Sequence, residues 1–167
     1  VVQNYELAVY WYERSARHGD ADGQCNLAIM YQFGYAGTAD YKKAAMWYTQ
    51  AAEQDNVIAQ NNLGYLYETG KGVSQDYTEA AYWYRLAAEG GDGPAANNLG
   101  QLYEQGFGVE KDPEKAAVWF SRSALTGYTE GIRNYIRVLE TGTGLPMDKE
   151  AAAYWRRQLD EQINGKG

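Results

Sequence analysis

The sequence has few cysteines, histidines and prolines. It contains one cysteine, one histidine and three prolines among 167 residues. A single cysteine cannot form an internal disulfide, and one histidine with one cysteine falls short of the three or four ligands that a zinc site requires. We therefore expect no disulfide-stapled fold, no metal site and no other cofactor.

Basic charge and long apolar runs are also scarce. Lys and Arg number 15 against 22 Asp and Glu, which gives a net charge of −7 at pH 7. A phosphate backbone is held by a basic field, so we expect no nucleic-acid partner. No stretch approaches the roughly 20 consecutive apolar residues of a membrane span, so we expect no membrane insertion. The chain begins at Val1 without a charged and then apolar leader, which leaves the cellular compartment open.

The sequence does have a strict internal period of 36 residues. Five kinds of residue recur in this register without insertion. The columns are Trp11, Trp47, Trp83, Trp119 and Trp155; Ala8, Ala44, Ala80, Ala116 and Ala152; Asn26, Asn62, Asn98 and Asn134; Asp40, Asp76, Asp112 and Asp148; and Gly34, Gly70, Gly106 and Gly142. A period of this length is typical of stacked supersecondary units, so the chain is a repeat protein.

Each period predicts two amphipathic helices. Ala44, Trp47 and Ala51 recur at helical spacing and predict a helix near residues 41–54, which we name helix B. A second stripe predicts helix A over residues 57–69. The aspartate before each helix B is in the position of an N-cap, and the glycine after each helix A is in the position of a left-handed C-cap.

The ends of the chain extend this pattern to nine helices. The sequence opens with a helix B over residues 5–17 and ends with a helix B over residues 149–163. We therefore expect an all-α fold, a right-handed α/α superhelical solenoid of 36-residue hairpins. Residues 1–167 are predicted to form a single array of about four and a half repeats, either whole or part of a longer array.

The tryptophan and asparagine columns have structural interpretations. Each tryptophan lies on the apolar edge of helix B, so we interpret the column as core; an aromatic cage or a carbohydrate platform is the alternative. The asparagine column flanks the same apolar arc. Its side chains are predicted to bond a neighbouring turn or helix end.

One known family has this pattern. Residues 59–73 read AQNNLGYLYETGKGV, and residues 76–84 continue with DYTEAAYWY. These residues resemble the Sel-1-like repeat, and the resemblance covers essentially the whole chain. The last helix A departs from it, because Gly131, Ile136 and Leu139 replace the alanine, glycine and tyrosine of earlier repeats.

The resemblance implies a solenoid related to tetratricopeptide arrays, used as an adaptor or scaffold with no shared catalytic site. We expect a non-catalytic protein that binds a protein or peptide partner. One alternative is a β-lactam-binding or hydrolytic enzyme, as in cysteine-rich relatives, although their paired cysteines and a Ser-x-x-Lys motif are missing here. Another is a toxin-neutralising immunity or inhibitor protein. The resemblance favours a bacterial periplasmic or secreted location over a cytoplasmic one.

Three sequence features suggest chemistry, and each also has a structural interpretation. His18 and Cys25 form a thiol–imidazole combination, but no recurrent third group orients them. The glycine-rich residues 64–72 lack the Ser or Thr of a phosphate-binding loop and follow a helix rather than a strand. Residues 20–22 resemble the opening of a calcium loop, but Cys25 stands where that loop needs glycine.

The candidate partner-binding residues lie on helix A, outside its apolar arc. On a wheel of about 100° per residue, this face comprises positions 61, 65, 68 and 69 and their equivalents in other repeats. The candidates are Cys25, Ile29, Phe33, Asn61, Tyr65, Asn97, Gln101, Arg133 and Arg137. The face changes from apolar near Ile29 to cationic near Arg137, which suits a partner with an apolar anchor and a carboxylate.

Two further surfaces are candidates for contact. An apolar column on helix B comprises Tyr10, Met46, Tyr82, Val118 and Tyr154. It either contacts a partner or packs beneath a neighbouring repeat. The first helix keeps the core pattern although no helix A precedes it, so we expect either a preceding repeat or self-association through this N-terminal edge.

Overall fold

The computed structural model of the protein describes residues 4–35 and 37–164. These residues form nine α-helices and no strand, which confirms the predicted all-α class. The helices are α1 (Tyr5–Arg17), α2 (Ala21–Phe33), α3 (Tyr41–Ala52), α4 (Val57–Thr69), α5 (Tyr77–Glu89), α6 (Gly93–Gln105), α7 (Pro113–Leu125), α8 (Thr129–Thr141) and α9 (Lys149–Asn164). The even-numbered helices are the A helices, and the odd-numbered helices are the B helices.

Aspartates begin the B helices as predicted. The Asp40 carboxylate accepts a hydrogen bond from the backbone N–H of Lys43 at 3.0 Å, and Asp112 accepts one from Lys115 at 2.9 Å. Asp76 and Asp148 cap α5 and α9 in the same way. Each carboxylate satisfies a backbone donor that has no partner within the helix, so these columns locate the helix starts.

Glycines end the A helices in the left-handed conformation. Gly70 has a φ of 68° and donates its N–H to the Leu66 carbonyl, and Gly106 does the same for α6 with a φ of 79°. After α3, Asp55 occupies the place that Gly19 occupies after α1, and it too has a positive φ, of 62°. Asp is one of the residues that tolerate this region, so the connection to α4 keeps its geometry without glycine.

The chain divides into two compact units, one ending at Ala87 and the other beginning at Ala88. In the first unit, the apolar core includes Tyr48, Leu63 and Leu66, which have no exposed surface. In the second unit, Ile132 and Leu139 belong to a cluster between α7, α8 and α9. Each unit therefore has an apolar core of its own.

The tryptophan column is less buried than the sequence suggested. Trp119 is 9% exposed, but Trp11 is 53% exposed, and the other three are half-buried. The fully buried ring belongs to the next residue, as at Tyr48, Tyr84 and Phe120. The residue after each tryptophan is more buried because it lies about 100° further round the helix, closer to the middle of the buried arc.

Small residues on the A helices make room for these rings. A Cβ added at Gly64 of α4 would lie 2.7 Å from the Tyr84 ring, and one added at Gly100 of α6 would lie 2.8 Å from the Phe120 ring. Such distances are shorter than carbon atoms can approach without displacement. The glycine in the middle of helix A therefore sets how closely the following helix B packs.

Candidate partner-binding faces

In the first unit, the candidate face of the A helices exposes apolar and aromatic side chains. Phe33 is 59% exposed at the end of α2, and Tyr65 is 36% exposed on α4. Ile29 is half-buried and lies one helical turn before Phe33. These three predicted residues thus lie where a partner could reach them.

Phe33 belongs to a group of aromatic rings at the end of α2. Its ring centroid lies 5.6 Å from that of Tyr35, and Tyr35 stacks on Tyr5 of α1 at 5.1 Å with the ring planes 14° apart. Tyr35 is 44% exposed. The three rings lie side by side at distances typical of aromatic pairs, so the group presents a continuous aromatic surface.

Tyr65 is held in place by a lysine. Lys71 Nζ donates a hydrogen bond to the Tyr65 hydroxyl at 3.0 Å and lies 5.2 Å from the Tyr65 ring centroid and 5.5 Å from that of Tyr41. The hydrogen bond to Tyr65 raises the pKa of Lys71. The exposed Tyr65 ring therefore has a permanent cation beside it.

In the second unit, the two predicted arginines differ. Arg137 of α8 makes two bonds to Glu104 of α6, with Nη1–Oε1 at 2.8 Å and Nη2–Oε2 at 3.1 Å. Arg133 is exposed and has no ion-pair partner among the residues that the structure describes. Among the described residues of the second unit, Arg133 alone thus presents an uncompensated charge on this face.

A contact pattern that was not predicted from the sequence explains the ion pair between Arg137 and Glu104. A side chain on helix B bonds the residue 16 positions earlier on helix A: Tyr48 donates to Gln32 and Tyr84 donates to Glu68, each at 2.6 Å. Phe120 has no hydroxyl to donate. Its partner Glu104 pairs with Arg137 instead, whose guanidinium carbon lies 5.8 Å from the Phe120 ring centroid.

The same pattern continues at the last hairpin with different chemistry. Arg156 of α9 takes the place of the tyrosines and forms an ion pair with Glu140 of α8. The signal is visible in the sequence as two paired columns, Gln32, Glu68, Glu104 and Glu140 with Tyr48, Tyr84, Phe120 and Arg156. A side-chain donor and an acceptor separated by 16 residues recur in three of these four pairs and could have indicated the contact.

Two candidate residues are buried, although the sequence predicted them to be exposed. Cys25 is 3% exposed and Asn97 is 3% exposed. Cys25 belongs to the core of the first unit, and the Asn97 side-chain oxygen Oδ1 accepts a hydrogen bond from Asn134 Nδ2 of α8 at 2.8 Å. The wheel describes one helix alone, whereas neighbouring helices cover this side of helix A. Asn134 also bonds an adjacent A helix rather than the predicted turn or helix end.

The remaining two candidates are partly covered. Gln101 and Asn61 are both half-buried. The Asn61 side-chain oxygen Oδ1 is buried and has no hydrogen-bond partner among the described residues. Fewer than nine of the predicted residues are therefore exposed.

Cys25 is in a poor environment for nucleophilic chemistry. Burial, with a smaller contribution from Asp22, raises the pKa of its thiol to about 11, so the thiol is protonated near neutral pH. His18 is exposed, and its Nδ1 lies 2.6 Å from the Arg14 carbonyl oxygen. Within residues 4–35 and 37–164, no group of three or more His, Cys, Asp or Glu side chains is placed to hold a metal ion. The described helices also include none with the length and apolarity to cross a bilayer.

The apolar column on helix B is exposed. In the first unit, Tyr10 is 56%, Met46 is 48% and Tyr82 is 53% exposed; in the second, Val118 is 45% and Tyr154 is 50% exposed. The alternative that these residues pack beneath a neighbouring repeat is therefore wrong. The three tyrosines each lie edge-on to the adjacent tryptophan, with ring centroids 5.0–5.7 Å apart.

Comparison with protein families agrees with this repeat geometry. The family described as Sel1 repeat matches residues 1–20, 21–56, 57–92, 93–128 and 137–157. The chain belongs to the Sel1 repeat family. The unmatched residues 129–136 contain Gly131 and Ile136, two of the positions where the last helix A departs from the repeat pattern. A comparison with curated proteins finds no match.

Solved Sel1 repeat structures have the same fold. A Sel1 repeat protein from Oxalobacter formigenes is 34% identical with a TM-score of 0.89, over 97% of this chain and 66% of that one. A protective antigen of uropathogenic Escherichia coli with an SLR fold is also 34% identical, with a TM-score of 0.88, over 92% of this chain and 33% of that one. This chain thus spans about two thirds of the length of the Oxalobacter formigenes protein and one third of that of the Escherichia coli antigen. The fold is therefore an all-α Sel1 repeat solenoid.

A more distant structure shows the fold alone. An immunity protein from Pseudomonas aeruginosa is 19% identical with a TM-score of 0.54, over 96% of this chain and 75% of that one.

Sel1 repeat proteins generally act as protein-interaction scaffolds. Protein binding is thus the general role of the family.

Proposed function

We propose that this Sel1 repeat chain is a non-catalytic scaffold that binds a protein or peptide partner on the exposed parts of its A helices. The observation that carries the proposal is the exposed aromatic surface of the first unit, where Phe33 is 59% exposed and lies against Tyr35, which in turn stacks on Tyr5. An exposed aromatic side chain that the core does not use is typical of a binding residue.

The first unit supports an apolar anchor on the partner. Ile29 and Phe33 share one side of α2, and Tyr65 occupies on α4 the place that Ile29 occupies on α2. Aromatic rings contribute much of the binding energy in protein interfaces because they bury a large area at a small loss of conformational freedom. A partner side chain that is itself apolar would complete this surface.

The second unit supports a carboxylate on the partner. Arg133 is exposed and unpaired among the described residues, whereas Arg137 is neutralised by Glu104. An arginine whose guanidinium has no carboxylate partner within the protein can hold a partner's carboxylate with two parallel hydrogen bonds. We therefore assign the cationic contact to Arg133 and give Arg137 the role of ordering α6 against α8.

The test uses matched pairs of exposed residues. Wild-type protein is immobilised as bait and incubated with its native lysate, and the captured proteins are identified by mass spectrometry. The amount of each captured protein is then compared between the wild type and the variants. Tyr65→Ala and Phe33→Ala should each lose the partner, whereas Tyr82→Ala, a tyrosine of similar exposure on helix B, should keep it. Arg133→Ala should weaken capture, whereas Arg157→Ala, an exposed arginine on α9, should not.

The opposite result has a clear meaning. Equal recovery by all A-helix variants, with loss in Tyr82→Ala, would move the site to the helix B column and contradict the proposal. Capture of a toxin through Tyr65 and Arg133 would assign the immunity role to the same face. The hydrolytic alternative depends on Cys25, whose burial and raised pKa disfavour it; hydrolysis lost in Cys25→Ser would overturn the non-catalytic part.

A further inference from the structure

A cavity of about 450 Å³ lies between α7, α8 and α9 in the second unit. Its apolar wall includes Leu125, Tyr154 and Trp155, and its polar wall includes Gln158 and Glu161. The Tyr154 ring lies edge-on to the Trp155 ring, with centroids 5.7 Å apart. The cavity therefore brings two aromatic rings and a carboxylate to one opening.

This side of a helix B stays open where further helices follow it. Helices α8 and α9 both follow α7, and yet Val118 is 45% exposed, Leu125 is 75% exposed, and Arg122 is also exposed. The equivalent residues on α9 are Tyr154, Glu161 and Gln158. The cavity thus opens on a side of helix B that stacked repeats do not cover.

The repeats themselves show what the tryptophan of helix B accepts. In α7, the guanidinium carbon of Arg122 lies 4.6 Å from the Trp119 ring centroid, and in α1 that of Arg14 lies 5.8 Å from the Trp11 ring centroid. In both helices the arginine follows the tryptophan by three residues. The face of an indole ring is negative and attracts a cation, so this pairing is favourable.

Helix α9 has the tryptophan without the arginine. Gln158 follows Trp155 by three residues, and no cation lies over the Trp155 ring within the part of the chain that the structure describes. Glu161 is exposed, accepts a hydrogen bond from Gln158 Nε2 at 3.3 Å, and forms no ion pair with any described residue. The cavity thus offers a ring and a carboxylate where α7 supplies its own guanidinium.

We propose that this cavity binds an arginine side chain of a peptide or protein partner, with the guanidinium against Trp155 and paired with Glu161. A guanidinium can stack on an aromatic ring and bond a carboxylate at the same time, because it is planar and carries several donors. An apolar residue beside that arginine packs on Leu125, an apolar residue in an otherwise charged column. The other members of the column are Arg17, Glu53, Glu89 and Glu161. The site is separate from the A helix faces and does not depend on the function proposed for them.

The probe is the acetylated and amidated tripeptide Leu-Arg-Leu. Its control replaces the arginine by citrulline, which has nearly the same shape without the charge. Binding is followed by NMR on the indole N–H signals, and Trp155→Phe identifies the signal of Trp155. The arginine peptide should shift that signal and bind about three- to thirty-fold more tightly than the citrulline peptide, the combined effect of an exposed cation–π contact and an exposed ion pair. Equal affinities, no binding at millimolar peptide, or a shift of another indole alone would overturn the proposal.

Two substitutions of Gln158 form a matched pair. Gln158→Arg gives α9 the arginine that α7 has, so its own guanidinium should occupy the Trp155 ring and reduce binding to the level of the citrulline peptide. Gln158→Ala should keep the binding, because Trp155 and Glu161 remain. Wild-type affinity in Gln158→Arg, with an unchanged thermal midpoint, would show that the peptide does not use this ring and would overturn the proposal.

Two further substitutions separate the charge from the apolar contact. Glu161→Gln should weaken the arginine peptide and leave the citrulline peptide unchanged, because only the ion pair is lost. Leu125→Ala should weaken both peptides by the same factor, because the apolar contact does not depend on charge. An equal loss for both peptides in Glu161→Gln would contradict the ion pair.

Discussion

Replacing Gly64 by alanine tests whether the glycine of helix A sets the distance to helix B. Gly64 is inside α4, where alanine is favoured over glycine by about 0.5–1 kcal/mol. The added Cβ, however, would lie 2.7 Å from Tyr84 Cδ1 and 2.8 Å from Cε1. The Tyr84 ring has no exposed surface and is bonded to Glu68 at 2.6 Å, so it cannot turn away freely.

The two effects have different sizes. Overpacking of a well-filled core costs about 1–3 kcal/mol, which exceeds the gain in helix propensity. We expect Gly64→Ala to lower the free energy of unfolding by about 1–2 kcal/mol. Urea denaturation followed by circular dichroism measures this change, and the slope should stay that of the wild type because the unfolded chain exposes the same surface.

The control reverses the sign of the effect. In a Tyr84→Ala background the ring is gone, so Gly64→Ala should now stabilise the protein by about 0.5–1 kcal/mol through helix propensity alone. The difference between the two backgrounds isolates the contact between the two residues. If Gly64→Ala stabilises the wild type, or destabilises both backgrounds equally, the steric reasoning is wrong.

Three other predictions concern burial and charge. Trp119→Ala should cost about 3–5 kcal/mol of stability in urea denaturation and Trp11→Ala less than half of that, because Trp119 is 9% and Trp11 53% exposed; equal costs would contradict this. Cys25 should react with a thiol reagent at pH 8 at least about 100-fold more slowly in the native protein than in urea, since its pKa is raised to about 11; equal rates would place the thiol in solvent. Backbone hydrogen bonds, from Lys43 and Lys115, lower the pKa values of Asp40 and Asp112, so their contribution to stability is present above about pH 4 and lost as the pH falls through the lowered values. Asp40→Asn with Asp112→Asn should flatten this acid-side loss, and an unchanged pH profile would refute the assignment.

The helices and their ends could be predicted because they depend on local rules. The N-cap at Asp112 and the left-handed glycine at Gly106 involve contacts within a few residues, and the periodic apolar stripe appears in any single repeat. The predicted bounds of α4, residues 57–69, are those of the structure. Most of the fold was therefore accessible without knowledge of how helices meet.

The candidate face was predicted less well because exposure depends on neighbouring helices. A wheel treats every residue outside the apolar arc as solvent-facing, and on that basis Cys25 and Asn97 were expected to be exposed. In the structure, Cys25 packs into the core of its unit and Asn97 bonds Asn134 on an adjacent helix. Phe33 and Tyr65 are exposed as expected, although their role in binding stays a prediction.

The sequence by itself determined the repeat, the nine helices and their caps, since each follows from spacing and from hydrogen bonds within one turn. Only the tertiary structure decided which ring fills the core and which charges remain free. Phe120 differs from Tyr84 by one hydroxyl, and without that donor Glu104 bonds Arg137 on α8. That choice depends on the distances between three helices. No property of a single helix contains those distances, so the ion pair of Arg137 with Glu104 became visible only once the helices were packed.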